Sequence, residues 1–158
     1  MRFPITIAFV SVVSLVAACG SSDEETVDDE GCEHLTQGPY TQVGAGVEKL
    51  ATAPAVAADY YAYSISLPAG VPGYVTFQAD AAVDHVFFLD QSLPLKVYTS
   101  SGTEEPIASS ATQSDACPEI KGRHDVALTV GTHILELGPS SVSLVNLVIE
   151  EEGGDHAD

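Results

Sequence analysis

The sequence predicts an all-β fold, an antiparallel β-sandwich with about eight strands. From Asp59 onward, apolar and polar residues alternate with a period of two, which is typical of half-buried strands. Turns rich in Gly and Pro separate these stretches. No stretch keeps the period of 3.6 residues that would indicate a helix. Together these patterns favour two stacked sheets.

The predicted strands follow from this alternation, taken in chain order. Residues Glu33–Ala58 are expected to be irregular apart from one edge strand, and Glu104–Gly122 to be a long loop with one extended piece. The strands are Val47–Leu50, Tyr60–Leu67, Tyr74–Ala79, Val83–Asp90, Leu95–Thr99, Arg123–Val130, Thr132–Leu137 and Val142–Glu150.

The alternation also predicts which side chains face the core. The continuously apolar stretch Val83–Asp90 is expected to be covered on both faces, as in a central strand. The other predicted core residues are Tyr61, Tyr63, Ile65, Leu67, Val75, Phe77, Ala79, Val126, Leu128 and Val130.

The N-terminal stretch Leu15-Val16-Ala17-Ala18-Cys19 resembles the lipobox of bacterial lipoproteins. A basic Met1-Arg2 and an apolar run precede it, as in a secretory signal peptide. The resemblance implies that residues 1–18 are removed and that Cys19 carries the lipid. A transmembrane anchor is disfavoured because the run is shorter than the roughly 20 residues that span a bilayer. An ordinary secretory signal is the other alternative.

Charge divides the remaining chain into three parts. The protein has 23 acidic and 5 basic residues, a formal net charge of −18, and the acidic residues concentrate at both ends. We therefore expect residues 19–31 to be a flexible acidic tether, 32–150 to be the β-sandwich domain and 151–158 to be a flexible acidic tail. Loose binding of divalent cations by the tail is an alternative, but its composition favours a solvated end. Nucleic acid is excluded as a partner because binding phosphates needs a basic surface.

The cysteines predict one disulfide bond. If lipid occupies Cys19, then Cys32 and Cys117 remain, and two cysteines in an exported protein usually pair. An alternative uses the same cysteines with His34 and His124 as ligands for zinc or copper(I). The sequence favours the disulfide because of the exported location.

Part of the sandwich resembles the pre-peptidase C-terminal domains of secreted bacterial enzymes. The stretches that carry the resemblance are Asp59–Tyr63, Leu67–Gly70, Val86–Asp90 and Leu128–Leu135. The resemblance implies a jelly-roll-like sandwich with a noncatalytic accessory role. The sequence departs from the pattern at His133, where an aromatic residue usually follows Gly-Thr. The whole chain also resembles uncharacterised lipoproteins of predatory and social soil deltaproteobacteria, which implies no activity.

Aromatic and histidine side chains are the candidate binding residues. Tyr60, Tyr74 and Tyr98 fall on faces opposite the predicted core, where they would form a platform for a sugar or a peptide. The alternative is ordinary strand propensity, which also places tyrosines on the surface of a sheet. Three histidines share strand faces with apolar residues, which indicates positions in the core or at its rim more than in a cleft. These are His85, His124 and His133.

These observations predict a noncatalytic binding or structural module, anchored to a membrane through the lipid on Cys19. The chain has no Gly-x-Ser-x-Gly, phosphate-binding loop or His-Glu-x-x-His motif, and no resident cofactor is predicted. The expected ligand is an envelope protein or a glycan. Because Gly20 and not Asp follows Cys19, the expected location is the outer membrane, facing the periplasm or the cell surface. The alternatives are a metal-handling accessory lipoprotein and an enzyme with dispersed catalytic residues.

Overall fold

A computed structural model describes residues 26–59 and 61–152 of the chain. These residues form one helix and eleven strands. In chain order the elements are α1 (Val27–Gln37), β1 (Tyr40–Gly44), β2 (Ala55–Val56), β3 (Ala62–Ser66), β4 (Gly73–Ala79), β5 (Asp84–Leu89), β6 (Leu95–Thr99), β7 (Glu104–Glu105), β8 (Ser109–Ala111), β9 (Gly122–Ala127), β10 (Gly131–Leu137) and β11 (Leu144–Glu151).

The strands form two sheets, which confirms the predicted all-β sandwich. One sheet has six strands in the order β1-β3-β11-β5-β9-β8, and the other has five in the order β2-β4-β10-β6-β7. The main core lies between them, because the buried residues of both sheets belong to one cluster. The predicted core face of β4 is confirmed by Val75, Phe77 and Ala79, which are all buried in this cluster.

Strand β5 is covered on both faces, as its continuous apolar sequence predicts. Phe87 and Leu89 point into the main core. Val86 and Phe88 point to the opposite face and belong to a second buried cluster, which includes Leu35 of α1. The helix therefore forms a third layer over the six-stranded sheet.

The predicted flexible tether was expected to reach Gly31. This is wrong for residues 27–31, because helix α1 begins at Val27. Thr26 caps it: its side chain accepts from the Asp29 backbone N–H, and the Asp29 carboxylate accepts from the Thr26 backbone N–H. Three acidic residues in the first turn also suit the positive end of the helix dipole. Residues 19–25 of the predicted tether lie outside the described residues.

Three of the contacts that hold α1 in place involve Asp28, Gly31 and Cys32. A Cβ on Gly31 would overlap the Phe88 ring, so only glycine allows this close approach. The Arg123 guanidinium lies over the same ring and its Nε is 2.8 Å from Asp28 Oδ1. The third contact is the predicted disulfide between Cys32 and Cys117, which is confirmed, with a Cα–Cα distance of 5.6 Å.

The disulfide closes a long loop. Its cysteines are 85 positions apart in the sequence. In the chain-entropy model, a loop of this size stabilises the folded state by about 4–5 kcal/mol relative to the reduced chain. It joins α1 to the segment that precedes β9.

The edges of both sheets differ from the prediction. Strand β1 pairs in parallel with β3, and β2 in parallel with β4, so the sandwich is not wholly antiparallel. The predicted edge strand Val47–Leu50 is wrong, because those residues belong to the loop between β1 and β2. The predicted loop Glu104–Gly122 contains two short strands, β7 and β8.

Individual positions near the strand ends also differ. Tyr61 and Val130, predicted in the core, are exposed because each lies just outside a strand. Glu151, predicted in the flexible tail, pairs with His85 at the end of β11. Residues 153–158 of the predicted tail lie outside the described residues.

We expect Gly31→Ala to destabilise the fold, although alanine has a higher helix propensity than glycine. Propensity alone would stabilise the helix by about 1 kcal/mol, but the added methyl group would overlap the Phe88 ring. Overpacking of this kind typically costs about 1–3 kcal/mol. The free energy of unfolding in urea should therefore fall, whereas Glu33→Ala on the exposed side of α1 should leave it nearly unchanged. A rise for Gly31→Ala would contradict the close packing.

Candidate functional site

The predicted metal ligands do not come together. Cys32 and Cys117 are bonded to each other, so neither offers the thiolate that zinc or copper(I) binds. Within residues 26–59 and 61–152, the one group of three potential ligands is these two cysteines with Glu119. Neither His34 nor His124 belongs to it. This corrects the hypothesis of a site made by both cysteines and both histidines.

Each of these histidines has a different polar contact. His34 Nδ1 lies 2.6 Å from Glu150 Oε1, which ties the last turn of α1 to β11. His124 Nδ1 lies 2.9 Å from Ser110 Oγ, between the paired strands β9 and β8. Burial lowers the pKa of His124, and its Nε2 is buried without a hydrogen-bond partner among the described residues. Both contacts join neighbouring elements of the fold.

Tyr74 and Tyr98 lie on the outer face of the five-stranded sheet, opposite the main core, as predicted. Their role as an exposed platform is wrong for Tyr98, because only 6% of this residue is accessible. Tyr60 lies outside the described residues. The sequence therefore places the two tyrosines on the correct face without showing that this face is covered.

A carboxylate joins the two tyrosines. Their hydroxyls donate to Glu136 Oε2, at 3.2 Å from Tyr74 and 3.1 Å from Tyr98. Burial is the larger cause and the hydrogen bond to Glu136 the next, and together they raise the pKa of Tyr98 to about 12. Burial and the charge of Glu136 also raise the pKa of Tyr74. Both phenols therefore stay protonated at neutral pH and act as donors.

The loop between β1 and β2 covers this face of the sheet. Gly46 exchanges two backbone hydrogen bonds with Tyr74, at 2.8 and 2.9 Å. Thr76 donates its hydroxyl to the Ala53 carbonyl at 3.0 Å. Between these attachments, Lys49 Nζ lies 3.8 Å from the centroid of the Tyr98 ring, a cation–π contact. The loop is thus fastened at both ends, and Lys49 in its middle lies over the Tyr98 ring.

The same loop forms an open cleft of about 210 Å³. Small-molecule sites commonly measure about 300–1,000 Å³, so this cleft suits one side chain or one sugar ring more than a whole cofactor. Leu50 contributes an exposed apolar wall, with 49% of its surface accessible. The lining residues are Gly46, Val47, Glu48, Leu50, Thr52, Ala53 and Pro54. With the tyrosines beneath the loop, this cleft is the candidate binding site.

Sequence reasoning missed Glu136, Lys49 and the cleft. Glu136 could have been noticed, because it is an acidic residue on the outward face of a strand that pairs with the strand of Tyr74. Lys49 gives no signal, since the path of its loop depends on contacts with Tyr74 and Thr76, which are distant in sequence.

His85 and His133 are core residues, as the sequence favours. His85 is fully buried, its ring lies edge-on to Phe77, and its Nδ1–H donates to the Val83 carbonyl at 3.0 Å. His133 Nδ1 lies 2.7 Å from Glu105 Oε2, and its Nε2 lies 2.8 Å from the Thr129 carbonyl. Neither residue lines the cleft.

No protein-family model matches this chain, and no curated protein gives a significant match. In the part of the chain that the structure describes, no helix is both long enough and apolar enough to cross a membrane.

The burial of His85 predicts that acid destabilises the fold. Burial is the largest effect on this residue and lowers its pKa, against the opposing effects of the Val83 bond and the Glu151 carboxylate. An unfolded histidine has a pKa of about 6.5. As the pH falls below that value, the unfolded chain takes up a proton that folded His85 resists, so the free energy of unfolding falls. We expect His124 to act in the same direction.

The measurement is urea unfolding at several pH values from about 7.5 to 5.5, above the range in which unfolded carboxylates titrate. His85→Asn keeps a donor for the Val83 carbonyl but does not titrate. Its free energy of unfolding should fall less steeply with acid than that of the parent, whatever its absolute stability. Equal slopes for the parent and for His85→Asn would contradict the assignment.

Proposed function

We propose that this protein is a lipid-anchored, noncatalytic binding module of the bacterial cell envelope. The observation that carries the proposal is the stretch Leu15-Val16-Ala17-Ala18-Cys19, with its basic start and apolar run. Acyl chains on Cys19 would hold the protein on the membrane, since two or more lipid chains give stable anchoring. The disulfide agrees with an exported location, because cytosolic thiols are kept reduced.

The proposed location is the outer membrane, facing the periplasm or the cell surface. Gly20 follows Cys19, where an Asp would resemble the inner-membrane retention signal of enteric bacteria. The net charge of −18 would also keep the domain away from anionic head groups.

Replacing Cys19 tests the anchor. In cells fed a radiolabelled fatty acid, the parent chain should incorporate label and fractionate with membranes, whereas Cys19→Ser should lose the label. Cys32→Ser serves as the matched control, because it removes a different cysteine and should leave the label in place. Unlabelled parent protein, or equal labelling of Cys19→Ser, would contradict the anchor.

The cleft in the loop between β1 and β2 supports the binding part of the proposal. Leu50 and Glu48 are among its lining residues, and the loop is attached at both ends. Because the loop is held by hydrogen bonds and by Lys49, the cleft needs little ordering when a ligand enters. One sugar ring or one apolar side chain of an envelope component is the proposed occupant.

Binding to a panel of peptidoglycan and lipopolysaccharide fragments, measured by calorimetry, tests this site. Leu50→Asp places a charge in the apolar wall and should weaken binding of the recognised fragment at least about tenfold, or about 1.4 kcal/mol. Val130→Asp is the matched control, since Val130 is also an exposed apolar residue but lies in the turn before β10. Equal losses in both variants, or no binding to any fragment by the parent, would contradict the cleft as the binding site.

A further inference from the structure

Strand β1 is unusual among the edge strands of the described sheets. The four edges are β1, β8, β2 and β7, with five, three, two and two residues. Natural sheets protect their edges with short strands, charges, prolines or bulges. β8 and β2 are short, and β7 consists of Glu104 and Glu105. Strand β1, with the sequence Tyr-Thr-Gln-Val-Gly, has no charge and no proline, and pairs with β3 residue for residue without a bulge.

The peptide groups of β1 point alternately toward β3 and away from it. The Pro39 carbonyl accepts from Ala62 N–H, and Ala45 N–H donates to the Ser66 carbonyl, both at 3.0 Å. In a parallel ladder, alternate residues of a strand make the bonds to its neighbour. The bonds to β3 therefore belong to odd-numbered residues. The N–H and C=O groups of Tyr40, Gln42 and Gly44 point to the open edge.

The surroundings of this edge leave room for another strand. Four of the five residues of β1 are exposed, and 44% of the Tyr40 surface is accessible. A Cβ built on Gly44 would meet nothing within 4 Å. Val43 is the exception, since it packs against the main core and holds β1 in place. The open side of the strand is thus both fixed in position and accessible.

The three outward residues are symmetric about Gln42. If an identical strand runs antiparallel beside β1, Gln42 faces Gln42 of the other copy, while Tyr40 faces Gly44 on each side. All three pairs are then of the hydrogen-bonded type, which gives six backbone hydrogen bonds across a two-fold axis. The Tyr40 side chain would lie opposite the residue that lacks a Cβ. The pattern is therefore complementary to itself.

The self-complementary pattern of β1, and not the charge of the protein, argues for a second copy as the occupant. A cationic segment gains nothing from a strand without charges, although acidic residues abound elsewhere on the chain. Two copies that each carry a net charge of −18 repel one another, except where screening and an uncharged surface let them meet. Strand β1 offers such a surface and places no two carboxylates opposite one another.

We propose that two copies of this protein associate through antiparallel pairing of their β1 strands about a two-fold axis at Gln42. The pairing joins two six-stranded sheets into one continuous sheet of twelve strands. It does not depend on lipidation of Cys19 or on the cleft. An anchor in a shared membrane would raise the local concentration of the two strands and strengthen the pairing.

Cysteine cross-linking of the full chain in cell-envelope membranes tests both the pairing and its register. Hydrogen-bonded partners in an antiparallel pair have Cα atoms about 5.5 Å apart, within the range that a disulfide bridges. After oxidation, Gln42→Cys should give at least about tenfold more covalent dimer on a non-reducing gel than Ser101→Cys, an exposed control in the turn before β7. The parent chain measures any background from Cys19.

The register test uses two further variants. Tyr40→Cys alone should cross-link poorly, because the two copies of residue 40 would be offset by four residues, roughly 13 Å along the strands. A mixture of Tyr40→Cys and Gly44→Cys chains should cross-link well. Adding Gln42→Pro to both chains of the mixture should abolish the product, because the proline removes an outward N–H and leaves the bonds to β3 intact.

The results that would overturn the proposal are specific. Cross-linking of Gln42→Cys at the level of Ser101→Cys would exclude pairing at this edge. A product with a mass other than twice that of the chain would identify a different occupant. Cross-linking of Tyr40→Cys alone as strong as that of the mixture would contradict the antiparallel register. If the parent chain itself cross-links, the anchor on Cys19 fails, while the difference between Gln42→Cys and its control still decides the pairing.

Discussion

The contact between α1 and the six-stranded sheet is the constraint on which the rest of the fold depends. Gly31 lets the helix approach the Phe88 ring, and the disulfide from Cys32 to Cys117 fixes that approach covalently. Because the helix covers β5 and β11, both strands can carry apolar residues on two faces. Without α1, the Phe88 side of the sheet would present apolar surface to water, at a cost of about 25 cal/mol per Å². The helix therefore makes a three-layered structure from a two-sheet sequence pattern.

The strands were predictable from sequence because alternation of side chains is a local property. Val75, Phe77 and Ala79 lie on one face of β4 wherever its partners are placed. The helix was missed because its eleven residues are mostly polar and acidic, although Thr26 and Asp29 have the spacing of a capping box. The parallel pairing of β1 and β2 was not predictable, since their partners β3 and β4 are chosen by contacts across the fold.

The candidate site shows the same division between local and distant information. Counting cysteines was enough to predict their pairing, and alternation placed Tyr74 and Tyr98 on the outer face. Burial of Tyr98 could not be predicted, because it depends on where Lys49 and its loop come to rest. His34 contacts Glu150, which is 116 positions away, and no spacing rule links the two residues. The cleft is thus a product of tertiary structure.

The basic side chains of the described residues have a consequence for the electric field around the protein. All four make specific contacts: Lys49 lies over Tyr98, Lys96 faces Glu104, Lys121 donates to the Pro118 carbonyl, and Arg123 binds Asp28 and Asp125. Contacts with rings, carbonyls and carboxylates hold these positive charges at fixed places. The acidic residues of the chain far outnumber them. The net charge of the protein is therefore strongly negative, and mobile cations gather around it. Dissolved salt therefore stabilises the native state, because it screens the repulsion among acidic residues that these four cations are too few to neutralise.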